Sequence, residues 1–188
     1  MFPATFREVL DAEVLFPFSL RDTLLRAAAA GFYQVCWSEQ ILEEMRRNLV
    51  KTGHTTTDKA ARLVAVMKAA FPEALVIGYE PLVAVMRNER KDRHVAAAAQ
   101  KAGAQLVVTR NLSDFRELPD GIEAQSPDHF LGNLFDLDPD SMVELVEEQA
   151  AALKNPPRSF EQLLSGLAKL VPEFVALLRE HRRSTGDR

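Results

Sequence analysis

Short apolar runs alternate with segments of helical period over the first two thirds of the chain. Glu8-Val9-Leu10-Asp11 reads as a buried strand with an acidic exit. Pro17-Phe18-Ser19 starts a helix that runs through Leu24, Leu25 and several alanines to Gly31, a residue suited to the position after a helix end. Phe32 to Trp37 is the next strand, and Ser38 caps a helix with Ile41, Leu42, Met45 and Leu49 on one stripe. After the polar turn at 53–57, Thr57 or Asp58 opens a helix striped by Leu63, Val64, Met67 and Phe71 and ended by Pro72. Residues 74–77 make a third strand candidate, followed by a turn and a short helical piece at 78–87. A helix from Asp92 to Ala102 closes at Gly103. Residues 105–109 then form a fourth strand and 122–125 a fifth, after which Pro127-Asp128 opens a helix through Phe130, Leu131 and Leu134. Strands alternating with helices of this length predict βαβ units, hence a mainly parallel sheet covered on both faces.

The texture changes at Leu137. Asp138-Pro139 opens a helix with Asp as cap and Pro at the first helical position, and Asn155-Pro156-Pro157 breaks it. Ser159 and Gln162 form a capping-box pattern ahead of Leu163, Leu164, Leu167 and Leu170. A last helix carries Phe174, Leu177 and Leu178 and frays into Arg182-Arg183-Ser184. The expected division is an α/β domain over 1–136 and an all-helical appendage over 137–188.

Composition narrows the class. The 188 residues suffice for one domain with an appendage, and 47% hydrophobic and 27% charged residues fit an ordinary globular protein. No run approaches the roughly 20 apolar residues of a membrane span, and Glu8 and Asp11 lie where a signal peptide would be apolar. The expectation is a cytoplasmic chain. A single cysteine, Cys36, excludes an intramolecular disulfide framework and a Cys-rich zinc site. A net charge of −4 argues against bulk electrostatic binding of nucleic acid, although Arg46, Arg47 and Lys51, then Arg90, Lys91 and Arg93, then Arg110 and Arg116 are locally basic.

Four acids fall just past strand-like runs or in the first turns of the following helix: Asp11, Glu44, Asp92 and Asp114. Ligands of open α/β sheets collect beyond the carboxyl ends of strands, and carboxylates gathered there repel unless a cation lies between them. Each acid alone has a structural explanation. Asp92 suits a helix N-terminus, Asp11 and Asp114 suit turn caps, and Glu44 or its neighbour Glu43 suits a surface ion pair. Glu44 lies nearer the buried stripe than Glu43. Convergence of all four on one sheet edge is harder to explain by capping.

The segments Leu10-Asp11-Ala12, Trp37-Ser38-Glu39 with Glu44, Lys91-Asp92-Arg93-His94-Val95 and Val107-Val108-Thr109 with Asn111, Asp114 and Phe115 together resemble the PIN domain. More narrowly they are similar to VapC-type ribonuclease toxins of toxin–antitoxin pairs, over about residues 6–135, and the tail resembles the helical extension of some longer toxins. Where relatives often have Asp-Pro before Lys-Asp-Arg-His, this chain has Glu89-Arg90. The resemblance implies a three-layer α/β/α fold and a pocket for Mg²⁺ or Mn²⁺ held by Asp11, Glu44, Asp92 and Asp114. It further implies Thr109 and Asn111 as pocket residues placing a carboxylate or phosphate, with Arg93 and Arg110 binding flanking phosphates.

On that resemblance the activity is metal-dependent endoribonuclease cleavage leaving a 5′-phosphate and a 3′-hydroxyl, by one metal or two. Asp11 and Asp114 are the direct ligands; Asp92 and Glu44 ligate or hold water. The expected partners are RNA (a tRNA or ribosomal RNA loop), a cognate antitoxin and a second copy in a homodimer. Asp128 reads as a helix cap before an auxiliary acid, His94 as a packing or surface residue, and Cys36 as core. Phe16, Phe18 and Phe32 read as core before an RNA-stacking or antitoxin-binding surface. The competing readings are fewer. No Gly-x-Gly-x-x-Gly follows the first strand and no Walker lysine motif is present, which removes nucleotide-binding Rossmann proteins and P-loop enzymes. A catalytically silent PIN-like scaffold that binds RNA or protein stays open.

Overall fold

The computed structural model of the chain describes residues 6–186. Among these, β1 (Arg7–Leu10), β2 (Gln34–Cys36), β3 (Leu106–Val108) and β4 (Glu123–Gln125) form one sheet in the order β2-β1-β3-β4, with every neighbouring pair parallel. The first helices are α1 (Ala12–Leu15), α2 (Phe18–Ala29), α3 (Glu39–Lys51), α4 (Thr57–Ala70) and α5 (Glu80–Val83). They are followed by α6 (Arg93–Ala102), α7 (Pro127–Leu137), α8 (Pro139–Ala152), α9 (Phe160–Leu167) and α10 (Pro172–Gly186).

The chain divides into two compact units. One holds the residues up to Phe16 and Tyr33–Gln125, and so contains the whole sheet. In β1 the successive residues Glu8, Val9 and Leu10 are all buried. Successive strand residues point to opposite faces, so both faces of the sheet are covered, as parallel sheets require. Helix α6 packs on β1 and β3. Its Ala96, Ala97 and Ala98 are small enough to admit Tyr79 and Met86 into one apolar cluster. Gly103 ends α6 in the left-handed region (φ +63°), and β3 begins three residues later.

The third strand candidate at 74–77 is not a strand. It meets the edge of the sheet by one parallel bridge, Trp37 to Leu75, with Trp37 N donating to Ala74 O and Val76 N to Trp37 O. Ile77 is then 72% exposed and Gly78 turns the chain at φ +71°. The apolar run therefore ends before a second pair of ladder bonds can form, and the sheet has four strands where the sequence predicts five.

The second unit holds Pro17–Phe32 and the chain from Ser126 onward. It begins eleven residues before the expected boundary at 136/137 and also recruits α2, which the sequence reading gave to the α/β domain. The reason is side-chain chemistry within this unit. The fully buried Thr23 of α2 donates to Gln149 Oε1 at 2.8 Å, and Gln149 Nε2 donates to Ser19 O at 2.9 Å. Helix α7 likewise packs on α8 and α10, and Leu131, Met142, Leu163, Leu164 and Phe174 are fully buried.

Asp128 is a cap, but of a different helix from its own. Ser126 caps α7, leaving the Asp128 carboxylate to accept from Glu173 N (3.1 Å) and Phe174 N (2.9 Å) at the start of α10. Replacing a capping Asp by Ala costs about 1 kcal/mol. Asp128→Ala is expected to lower the stability of the helical unit by about that amount, read by urea unfolding. Unchanged unfolding would show that these two bonds contribute nothing net.

Candidate active site

The strand order creates a crevice. The chain passes from β1 to β2 on one side and returns to pair β3 on the other side of β1, so connections leave β1 and β3 in opposite directions at their carboxyl ends. Leu10 and Val108 are register partners at that edge. The next residues, Asp11 and Thr109, are neighbours: Asp11 N donates to Val108 O (3.1 Å) and Thr109 Oγ1 donates to Asp11 Oδ2 (2.8 Å). Asp11 Oδ1 accepts from Ala12 N at 2.7 Å, so Asp11 is also the N-cap of the one-turn helix α1.

Asp114 lies in the 3-10 turn Leu112–Phe115 after β3. Asn111 Nδ2 donates to its Oδ2, Ser113 Oγ donates to its Oδ1 at 3.2 Å, and Asn111 N donates to Thr109 Oγ1 at 3.1 Å. Thr109 and Asn111 therefore hold Asp11 and Asp114. Thr109 is fully buried, and of the two expected roles, placing a carboxylate or a phosphate, its hydroxyl serves the carboxylate of Asp11.

Asp92 ends the 3-10 turn Arg90–Asp92 ahead of α6 and makes no side-chain cap bond. Helix capping thus does not account for it. Glu89 N donates to Asp114 O at 3.0 Å, and this backbone bond draws the turn carrying Asp92 onto the turn carrying Asp114. Glu44, on α3, has its Oε1 3.4 Å from His94 Nε2 and accepts from Gln40 Nε2 at 3.4 Å. Glu43 instead makes a two-pronged pair with Arg46 at 2.6 and 2.7 Å on the outside of the helix. Glu44 is the acid of α3 that turns toward the others.

The electrostatics follow from burial and crowding. Asp11 is only 5% exposed. Desolvation pushes its carboxyl up to about 6, against the hydrogen bond from Thr109 and with the charges of Glu13 and Glu44. Burial also lifts Asp92 to about 6, and the Asp11 charge and contact with Asp114 add to that, while Lys91 opposes it. Lys91 holds Asp114 below the usual carboxylate range. For Glu44, burial pushes upward, but contact with His94, then Gln40 and Arg47, outweighs it and leaves the carboxyl low.

Two residues that sequence reasoning did not place in the site belong to it. Lys91 Nζ lies 2.8 Å from Asp114 Oδ2 and 3.7 Å from Asp92 Oδ2, an ammonium bridging two acids. His94 is buried rather than on the surface, with Nδ1 3.0 Å from Lys91 O and Nε2 facing Glu44 at ion-pair distance, without hydrogen-bond alignment. The only sequence signal for either was proximity to Asp92.

All donors are hard carboxylate oxygens, the set Mg²⁺ or Mn²⁺ prefers, and burial and neighbouring charge push the Asp11 and Asp92 carboxyls upward, which a cation would relieve. Among the described residues, however, no three His, Cys, Asp or Glu side chains are gathered as a ready ligand set. The Lys91 ammonium occupies the approach between Asp92 and Asp114. The residues would fit a divalent ion in kind: their donors are carboxylate oxygens.

The expected phosphate-binding arginines lie on either side. Exposed Arg110 joins Glu13, Phe16, Asn48, Thr52 and Asn111 around an open groove of about 550 Å³. Phe16 there is half-buried, with its ring edge-to-face with His54 at 5.2 Å. Arg93 donates through Nε to Asn88 O at 3.2 Å and faces a second pocket that Asp114 also lines. Cys36 is buried core, its thiol pushed to about 11 by burial. No described helix is long and apolar enough to cross a membrane.

Comparison with known proteins matches this arrangement to two families. The PIN domain matches residues 7–113 and the VapC50 C-terminal domain matches residues 127–180. The second match begins at α7, close to the start of the helical unit. A protein of Mycobacterium tuberculosis (strain ATCC 25618 / H37Rv) named "Putative ribonuclease VapC50" is 38% identical over 109 residues, 56% of this chain and 64% of the relative. The match thus spans less than two thirds of that relative's length. No solved structure matches the chain significantly.

Proposed function

We propose, on the premise that this chain belongs to the PIN domain family, that it is a metal-dependent endoribonuclease whose site is Asp11, Glu44, Asp92 and Asp114. The observation that carries the reading is geometric: Asp11 emerges at the crevice between β1 and β3, and the bond from Glu89 N to Asp114 O brings the turns of Asp92 and Asp114 together, with Lys91 between the two acids. Burying acids is costly, and Asp11 stands where an α/β sheet binds ligand. RNA as substrate is taken from the name of the similar mycobacterial protein.

In this reading Asp11 and Asp114 hold Mg²⁺ or Mn²⁺ directly, and Asp92 and Glu44 complete the set or orient the attacking water. The ion supplies charge neutralisation at the scissile phosphate and activation of water. The chain does the positioning. Thr109 and Ala12 N fix both oxygens of Asp11, Asn111 and Ser113 fix Asp114, and His94 faces Glu44 at 3.4 Å. Arg93 and Arg110 hold phosphates on either side. The toxin role, a cognate antitoxin, a homodimer, a cytoplasmic setting and a tRNA or ribosomal RNA loop as target belong to the same proposal.

Lys91 gives a direct check on the cation site. Its ammonium competes for the oxygens a divalent ion would use, so Lys91→Ala is expected to raise Mn²⁺ affinity about 3- to 10-fold, read by titration calorimetry without RNA. Unchanged or weaker Mn²⁺ binding would move the ion away from Asp92 and Asp114. The scaffold reading draws on the same contact, since Lys91 already neutralises two of the acids. Cutting of single-stranded RNA by the wild type in Mg²⁺ or Mn²⁺, lost with EDTA and in Asp11→Asn, decides for the enzyme. Metal-independent binding without cutting decides for the scaffold.

A further inference from the structure

A pocket of about 340 Å³ opens beside Asp114, and the side chains that set its chemistry are Arg87, Asn88, Arg90, Arg93 and Arg116. Four guanidinium groups share it with three carboxylates: Asp114, which Lys91 engages, and Glu89 and Glu117. None of the four arginines makes an ion pair within 4 Å of any described carboxylate. Arg87, Arg90 and Arg116 are exposed, and Arg93 is held in place by its Nε bond to Asn88 O. The pocket's cations are thus assembled and unspent.

Asn88 supplies an independent observation. It is only 4% exposed, and neither its Nδ2 nor its Oδ1 has a hydrogen-bond partner. Buried polar groups are satisfied in the great majority of cases, so this unpartnered amide beside the pocket stands out. Met86 and Val95, which flank this stretch, are buried in the core.

We propose that this pocket is a nucleotide subsite, which holds the RNA phosphate adjacent to the scissile one; the proposal rests on the ribonuclease reading of the neighbouring acids. Guanidinium forks match phosphate oxygens two at a time, and the size of the pocket suits one nucleotide. Asp114 is common to the pocket and the acid site, so a strand bound here runs directly past the carboxylates. This also gives an acidic chain a local means of holding RNA. The departure Glu89-Arg90 lies in the pocket wall, which adds a guanidinium to the subsite.

The test is fluorescence anisotropy of a labelled single-stranded RNA of mixed sequence with the full chain in EDTA, where nothing is cut, over a series of salt concentrations. Arg87→Ala and Arg116→Ala are each expected to weaken binding about five-fold and to reduce the slope of log affinity against log salt by about 0.7 per lost phosphate contact. Arg62→Ala, an exposed arginine on α4, is expected to do neither. Arg116→Lys should restore the slope and only part of the affinity. Binding and slope unchanged in both pocket variants overturn the subsite. If the wild type then still cuts RNA and Asp11→Asn does not, the ribonuclease reading survives without it. A wild type that neither binds nor cuts overturns both.

Discussion

Asp11→Asn is expected to lower RNA cleavage by about 10³-fold or more, and at pH 8 to make the metal-free chain more stable than the wild type. The loss follows from removing a directly coordinating charge, whose contribution to a metal-assisted displacement is several kcal/mol, each 1.4 kcal/mol being about ten-fold in rate. The gain follows from linkage. The Asp11 carboxyl stands at about 6 in the folded chain against 3.8 for an ordinary aspartate. Below pH 3.8 both states are protonated and the carboxyl exerts no effect. As pH rises through about 6 the unfolded state has already released its proton, so the folded state loses stability, to a total of roughly 2–3 kcal/mol. Asn cannot ionise, and its Oδ1 still accepts from Ala12 N, so the variant escapes this loss. Urea unfolding at pH 4 and pH 8 should therefore show the two proteins diverging only at the higher pH. Mg²⁺ should stabilise the wild type and leave the variant unmoved. Asp114→Asn should lose cleavage to a similar degree. Cutting equal to wild type in both variants would place the active site elsewhere or identify a contaminant.

Glu8→Gln carries the second large effect, on stability alone. Glu8 lies in β1, is 3% exposed, and has one oxygen, Oε2, without a partner. Burial pushes it to about 8, with a backbone hydrogen bond from Leu106 pulling the other way. It therefore carries its proton at neutral pH. The unfolded chain loses that proton near pH 4.5, so the stability Glu8 contributes is full below pH 4.5 and declines until about pH 8. A glutamine keeps the acceptor and removes the ionisation. The variant is expected to be more stable than the wild type at pH 9 by roughly 2–4 kcal/mol and nearly equal at pH 4, read as free energies of unfolding in urea. Parallel pH profiles would mean that Glu8 reaches water and ionises in the folded state. Because β1 alternates its side chains, Glu8 and Asp11 face opposite sides of the sheet. Cleavage by Glu8→Gln at pH 7 should match the wild type.

These two acids separate what local pattern can and cannot reveal. Both follow or sit in an apolar run, and nothing in their neighbours distinguishes them. The difference lies in which strand stands alongside: Asp11 emerges at the end of β1 beside Thr109, whereas Glu8 is paired across its backbone to Val35 and Leu106.

The sequence by itself determined the α/β alternation, the caps at Ser38, Asp138 and Ser159 and the stop at Gly103, and it singled out four acids as candidates. Each of these depends on residues within a few positions of one another, through hydrogen-bond geometry at a helix end or the period of an apolar face. It also favoured Glu44 over Glu43, because helical period alone turns Glu44 inward. What only the tertiary structure decided is everything that joins distant segments. The apolar run at 74–77 stopped at a single bridge because Gly78 turns the chain away before a second pair of ladder bonds can form. The helix α2 left the α/β domain because Thr23 found Gln149, 126 residues away. Lys91 and His94 entered the site because the bond from Glu89 N to Asp114 O folds one turn onto another. The strand order β2-β1-β3-β4 opens the crevice at which Asp11 and Thr109 meet. Such pairings depend on chain reversal and burial across long separations, which no window of sequence contains.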